Sequence, residues 1–294
     1  MKDYQFRTIL HRFREYKKLI KFRVDIIVAL TSVFGFFLGR KEIAHFDTVF
    51  LIFAGGFLVT ATAHIINQLI EKNLDEKMLR TKDRPLVTGA IKKKEAVIAL
   101  FVFSSTGLFF LFKASPIAAY ISFVSLVMYA FLYTPMKQVS RLSIYIGAIP
   151  GALPILIGYV TATGRIDAPA IALFLLQVLW QLPHFWSIAW IWNDEYQGAG
   201  YDLMPVKGGR STQNALYTFL STFLLFPVIY FLHHIHFLHI EIFFILLLLT
   251  FLFSFIAYVF YKKPEIKSAK KLMLVSVIYL PVIQFILIIN QINQ

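Results

Sequence analysis

Cysteine is absent from the 294-residue chain, so neither a disulfide framework nor a thiolate metal site is available. Linkers and low-complexity tracts are missing too, and no polar stretch is long enough to build a soluble domain. Only two loops, about 71–94 and 193–213, are long and polar. Acidic residues are scarce: 16 Asp and Glu stand against 29 Lys and Arg, for a formal net charge of +13. No small-residue cleavage pattern accompanies the first apolar run, which follows about two dozen residues rich in base and reads as a retained helix.

What fills the chain is apolar. Hydrophobic residues make up 58% of it, in long uncharged runs beyond what a soluble domain uses. Nine runs qualify as membrane spans, at roughly 24–39, 47–70, 95–112, 116–134, 142–163, 168–192, 214–232, 240–261 and 271–290. The fold class expected is therefore an all-α integral membrane protein, with residues 1–294 as one domain behind a basic segment, 1–23.

The positive charge is distributed by side. The N-terminal segment and the loops after the second, fourth, sixth and eighth spans hold 25 of the 29 Lys and Arg; the other side holds four. This bias puts the N-terminus in the cytoplasm and the C-terminus outside, in the cytoplasmic (inner) membrane. The basic excess is an orientation signal that can also hold anionic lipid, and nucleic acid is not expected as a partner.

Three polar constellations fall at the inner ends of spans two, four and six. In the first, Asn67, Glu71 and Asp75 are spaced i, i+4, i+8 and share one helix face. The outer pair lie ~12 Å apart at ~1.5 Å rise per residue, too far to share one ion. Neighbouring pairs are about one turn apart, so the row suits Mg²⁺ ions that keep waters and complete their shells with phosphate oxygens. Arg80, Lys82 and Arg84 follow and can neutralise the remaining phosphate charge. The competing reading is a solvated helix end with Glu71 and Asp75 paired to Lys72 or Lys77; acidic groups at a span edge are costly and favour function.

The second constellation is Tyr133 to Lys137. Pro135 is expected to end the fourth span, with Lys137 as a compact cation for phosphate and Tyr133 as hydroxyl donor. An interfacial Tyr with an ordinary inside Lys is the plainer alternative. The third runs from Trp180 to Gly209. Asp194 and Glu195 form either a second metal-binding group or a pair of solvated loop carboxylates. His184 sits about two and a half turns inside the membrane among Trp180, Phe185, Trp186, Trp190 and Trp192. It can bond the carbonyl freed by Pro183, ligate a metal-bearing molecule, or bind a propionate.

Carboxylates, arginines and a lysine at one membrane face, above an apolar helical cavity, suit a ligand with a polyanionic head and a hydrocarbon tail. An isoprenyl diphosphate is such a molecule. Two features lie outside this picture. His233, His234, His236 and His239, between spans seven and eight, have loose ligand spacing but no carboxylate, and read as an interfacial loop. Pro85 and Gly89 enclose LVT as Pro205 and Gly209 enclose VKG, which hints at an internal repeat of four-helix units.

Four blocks carry a resemblance to a known family: NQ..E...D..M.RT..RPL..G at 67–89, YTP.K at 133–137, G..PGALP.L.GY..ATG at 147–164 and PHFW..AW.....Y..AG...MP at 183–205. They resemble the UbiA-type intramembrane prenyltransferases, and the last block resembles the haem-modifying branch of that family. The likeness covers about residues 22–290. It implies nine transmembrane helices around a central cavity opening near the cytoplasmic face, and Mg²⁺ as cofactor. Farnesyl would pass from farnesyl diphosphate to a vinyl group of haem b, with water then added. The implied partners are those two substrates, membrane lipid, and haem A synthase or an oxidase-assembly component.

Carried onto this sequence, Asn67, Glu71 and Asp75 would hold the metal–diphosphate. Arg80, Lys82, Arg84, Tyr133 and Lys137 would contact its oxygens, and His184 with Trp186 and Trp190 would lie by the haem. Asn73 departs from the usual pattern, standing where aspartate is common. Asp202 stands where proline usually precedes Met-Leu-Pro. Of the second aspartate-x-x-x-aspartate motif only Asp194 and Glu195 remain. An aromatic-acid prenyltransferase of quinone synthesis and a transporter with buried charges are the rival functions.

Overall fold

The computed structural model describes residues 2–40 and 46–292. All of its regular structure among these is helical. Basic α1 (Lys2–Leu19) leads into α2 (Phe22–Leu38) and the long α3 (Phe46–Asp75). After the one-turn α4 (Pro85–Thr88) come α5 (Lys93–Ala114) and α6 (Pro116–Val127), the latter continued by a π turn (Met128–Tyr133) and α7 (Thr134–Met136). Then follow α8 (Ser143–Thr163), α9 (Ala168–Ile191), the short α10 (Asn193–Gly198), α11 (Thr212–Thr222), α12 (Leu225–His234), α13 (Ile240–Lys262) and α14 (Ile266–Ile292).

Among the described residues, eight helical rods are long and apolar enough to cross a membrane, counting α6 to α7 as one and α11 to α12 as another. The 17-residue α2 is shorter, at the low end of what spans a bilayer, and completes a one-to-one match with the nine expected spans. The rods wrap around a centre built from α2, α8 and α9, with α3, α5 and α6 on one side and α11, α13 and α14 on the other.

In hydrocarbon the helices gain nothing from apolar contact alone, so close approach matters more. Gly35 and Gly158 supply it where α2 crosses α8: a methyl on Gly158 would stand 1.8 Å from the Ser32 carbonyl oxygen, and one on Gly35 2.1 Å from that of Ile155. Side chains on neighbouring helices also satisfy carbonyls inside the bundle, as a dry interior demands. Pro154 frees the Pro150 carbonyl within α8, and the Ser125 hydroxyl donates to it at 3.5 Å. Gln177 and Gln181 of α9 donate to the carbonyls of Gly151 and Ala148 at 3.2 and 3.1 Å.

The fourth span ends one residue past Pro135, at Met136. The helix widens into the π turn, in which the Thr134 N–H reaches back to the Tyr129 carbonyl, and regular helix then runs to Met136. Widening moves the preceding carbonyls out of the path of the proline ring, and π turns of this kind recur where side chains must be re-aimed. The two Pro–Gly loops also share a backbone feature: Gly89 and Gly209 both lie in the left-handed region, at φ of 77° and 70°.

Candidate functional site

One end of the bundle gathers a polar cavity of about 140 Å³. Its walls come from the start of α2, the end of α3 and the loop after it, the π turn and Lys137 just past α7, and the segment after α9. All three constellations therefore send residues to one place.

Asn67, Glu71 and Asp75 stand along α3 as their spacing requires, each at most 4% exposed. Their oxygens are met by cations. Lys137 pairs with the Glu71 carboxylate and donates to Asn67 Oδ1 at 3.0 Å. Asn67 Nδ2 in turn donates to Glu71 at 2.5 Å. Arg84 pairs with Asp75 Oδ2 at 2.5 Å, while Asp75 Oδ1 is buried without a hydrogen-bond partner. The Thr81 hydroxyl donates to the Asp75 carbonyl at 2.9 Å and ties the loop back to the helix end.

Tyr133 lies under the Lys137 ammonium, 4.9 Å from ring centroid to nitrogen. Its ring fits because residue 147 is glycine: a methyl there would stand 2.4 Å from the ring edge. Arg80 spans the gap to the third constellation, donating from its backbone N–H to Glu195 at 3.1 Å and from its guanidinium to the Tyr196 hydroxyl at 3.3 Å.

Several lining residues were not among the site candidates that the sequence offered. Tyr129 precedes Tyr133 by four residues and joins it through the π turn, its hydroxyl 3.4 Å from Asn67 Oδ1. Met78, Tyr196, Tyr201 and Leu203 close the cavity. Burial pushes the Tyr196 and Tyr201 hydroxyls above their ordinary pKa, so both remain protonated donors. Lys21 also enters, from a left-handed break between α1 and α2 with φ 52° and ψ 50°. Burial, then the charges of Arg84, Lys137 and Arg80, lower its amine to about 7.

Some expected site residues lie outside the cavity. Lys82 is exposed on the loop. Asp194 accepts two hydrogen bonds from Arg210 at 2.9 and 3.1 Å, and that arginine also caps the carbonyls of Trp190 and Ile191 at the end of α9. Glu195 is held at the rim by Arg80.

His184 does not bond the carbonyl freed by Pro183. Its Nδ1 lies 2.7 Å from Ser276 Oγ on α14. The Ser276 hydroxyl donates to the Met273 carbonyl at 2.6 Å, so its oxygen must accept, and Nδ1 carries the proton. Nε2 is left with a lone pair, the form in which imidazole binds a metal. Trp180 stacks on the ring with centroids 5.0 Å apart and donates to the Ser276 carbonyl at 2.9 Å. Trp186 and Trp190 are buried behind this wall, edge-on against Tyr145 and Phe260. α8 connects the wall to the cavity: Tyr133 seats on Gly147, Gln181 bonds the next carbonyl, and His184 stands one turn beyond Gln181.

The cavity offers an amide oxygen and two carboxylates in a row, one oxygen being buried and unpartnered, opposite lysines, arginines and tyrosine hydroxyls. That donor set fits a divalent cation bridged to a polyanion. The chain is 38% identical over 282 residues to the protoheme IX farnesyltransferase of Cytophaga hutchinsonii, covering 96% of this chain and 99% of that one. It is 34% identical to the enzyme of the same name from Flavobacterium johnsoniae, covering 95% of each. Among solved structures it superposes on a digeranylgeranylglyceryl phosphate synthase with a TM-score of 0.79 at 18% identity, covering 96% of this chain and 99% of the other. A UbiA homologue from Archaeoglobus fulgidus bound to GPP and Mg²⁺ superposes with a TM-score of 0.66 at 15% identity, covering 93% and 99%. Residues 28–279 match the UbiA prenyltransferase family, and the chain belongs to it.

Proposed function

We propose that this protein transfers the farnesyl group of farnesyl diphosphate to a vinyl group of haem b, with addition of water, to give haem O and diphosphate. The observation that carries this reading is the converging row of Asn67, Glu71 and Asp75 against Lys21, Arg80, Arg84, Tyr133 and Lys137 in a cavity sized for a headgroup. The near full-length likeness to protoheme IX farnesyltransferases supplies the acceptor.

Asn67, Glu71 and Asp75 would hold Mg²⁺ through their oxygens, as the unpartnered Asp75 Oδ1 invites. When bound, the metal supplies Lewis-acid stabilisation of negative charge on the diphosphate. Lys137 and Arg84, now covering those oxygens, turn to the phosphate oxygens, joined by Lys21 and Arg80. Their charges draw off the electron pair as the allylic carbon–oxygen bond breaks. The Tyr129 and Tyr133 hydroxyls donate hydrogen bonds to the diphosphate oxygens. The vinyl π electrons then form the new bond to the farnesyl carbon, and water adds to the cation left beside the porphyrin. The proton released by that water balances the charge of the departing diphosphate. Apolar walls keep water away until the carbon–carbon bond has formed.

His184 would face the haem, with Nε2 as its free donor and Trp180 and Phe185 beside it. We assign Trp186 and Trp190 to supporting that wall from behind. Asp194 is assigned to Arg210 and the end of α9, and Glu195 to placing Arg80; Lys82 adds charge at the entrance. The N-terminus is placed in the cytoplasm and the C-terminus outside the cytoplasmic membrane, from the basic loops. The test incubates membranes containing the protein with haem b, farnesyl diphosphate and Mg²⁺. A haem heavier by one farnesyl plus water is expected. Prenylation of an aromatic acid, with haem unchanged, would overturn the assignment of the acceptor.

A further inference from the structure

Lys21 occupies a backbone conformation that residues with a side chain beyond glycine avoid, and it is neither glycine nor asparagine. Such a conformation persists only where the surroundings over-determine it. The left-handed turn also breaks the hydrogen-bond ladder between α1 and α2. The Val24 N–H, which an unbroken helix would send to Ile20, bonds the Lys21 carbonyl at 2.8 Å. Among the described residues no backbone donor reaches the carbonyls of Leu19 or Ile20, although both residues are buried.

α3 supplies the missing donors. Gln68 Nε2 lies 2.6 Å from the Leu19 carbonyl oxygen and 3.4 Å from that of Lys18. His64 Nδ1 lies 3.1 Å from the Ile20 carbonyl oxygen and 2.5 Å from Asp25 Oδ1. A carbonyl can only accept, so Nδ1 carries the proton and is shared between the two oxygens. His64 and Gln68 are one turn apart on α3, and Gln68 directly follows the cavity residue Asn67. Asp25 is fully buried one turn into α2, so the three side chains grip both sides of the break. The same helix that presents the oxygen row therefore fixes the turn from which Lys21 enters the cavity. Unlike Lys137 and Arg84, Lys21 forms no ion pair among the described residues.

We propose that His64, Gln68 and Asp25 are positioning residues for diphosphate binding: they hold the left-handed break open so that the Lys21 ammonium stays in the cavity. This deepens the function proposed above and rests on it. The test measures binding of Mg²⁺ with inorganic pyrophosphate to the purified full chain, by calorimetry. Lys21→Met, His64→Leu and Gln68→Leu are each expected to weaken binding about tenfold. The double variant Lys21→Met/His64→Leu should bind no more weakly than Lys21→Met alone, because the clamp acts only through the lysine. His64→Gln, whose amide can donate to the same oxygens, should restore most of the affinity.

Effects that multiply in the double variant would overturn the proposal, since His64 would then support the fold without acting through Lys21. Wild-type affinity in His64→Leu or Gln68→Leu would overturn it too. Where His64→Leu does not yield folded protein, the cycle of Gln68→Leu with Lys21→Met decides by the same criterion. A wild-type chain that binds no pyrophosphate would instead overturn the diphosphate reading itself, a result distinct from either clamp outcome.

Discussion

Asp75 combines two roles at the atomic scale: one carboxylate oxygen is committed to Arg84 and the other faces the cavity unpartnered. Removing it takes away a buried charge that both the metal and the arginine would use. Asp75→Ala, and likewise Asn67→Ala, should lower kcat on the order of a hundred- to a thousandfold. The protein should still insert and migrate as folded. Turnover of farnesyl diphosphate in membranes reports the first, and gel filtration in detergent the second.

Lys21 sets a pH dependence. Its amine, lowered to about 7 in the free protein, is largely neutral above that pH. A bound polyanion favours the ammonium, so binding takes up a proton, and affinity for pyrophosphate should fall as pH rises from about 7 towards 9. Lys21→Met should flatten that slope. The stability term has the opposite sense. Burying the ammonium costs stability below about pH 7, and the cost is relieved as pH rises towards the ordinary lysine value, because there the unfolded chain holds the extra proton.

These residues were not equally legible. Asn67, Glu71 and Asp75 show themselves by period alone, because a helix converts spacing into a shared face. Lys21 looks like any inside lysine, since KLIKF contains neither glycine nor proline to announce a break. Tyr129 is invisible for another reason. On a regular helix it shares a face with Tyr133, but nothing in the sequence says that this face turns towards Asn67.

At the scale of elements, the π turn decides how the fourth span serves the cavity. Its extra residue per turn brings Tyr129, Tyr133 and Lys137 onto the Asn67 side, with the Thr134 hydroxyl donating to the Tyr129 carbonyl at 2.8 Å. α8 must leave room, and Gly147 does so. Gly147→Ala should push the Tyr133 ring away and reduce kcat/KM by about tenfold to a hundredfold, the cost of misplacing a contact by around 1 Å. The fold should tolerate the added methyl. Steady-state kinetics with farnesyl diphosphate varied, beside a melting curve, separates the two effects.

Proline was the weakest guide to these elements. Pro150, Pro154 and Pro183 lie inside α8 and α9. In water each would be read as a helix end. Along α8 the neighbouring helices supply donors to the carbonyls of Ala148, Pro150 and Gly151, which a sequence read one helix at a time does not reveal.

The whole molecule is organised by side. The basic loops and the cavity share one face, and the histidine-rich segment runs from the last turn of α12 through its connection to α13. The absence of cysteine makes the orientation simple to check. A single cysteine introduced at Glu265 should react with a membrane-impermeant maleimide only after the cytoplasmic face is opened, and one at Ile166 in intact cells. The all-helical membrane class and the shared face of the three constellations could be read from hydropathy and charge. The arrangement of α2, α8 and α9 at the centre could not, since glycine crossings such as Gly35 and Gly158 are not marked by composition.

The pairing of Lys137 with Glu71 and of Arg84 with Asp75 has a consequence for the order of events. A metal arriving alone must evict ammonium or guanidinium groups that then have no anion to meet, and a pyrophosphate arriving alone would leave two carboxylates stripped of their counter-charges. Each ligand removes the obstacle facing the other, so the two should enter as one neutralised unit, with strong positive linkage between their affinities.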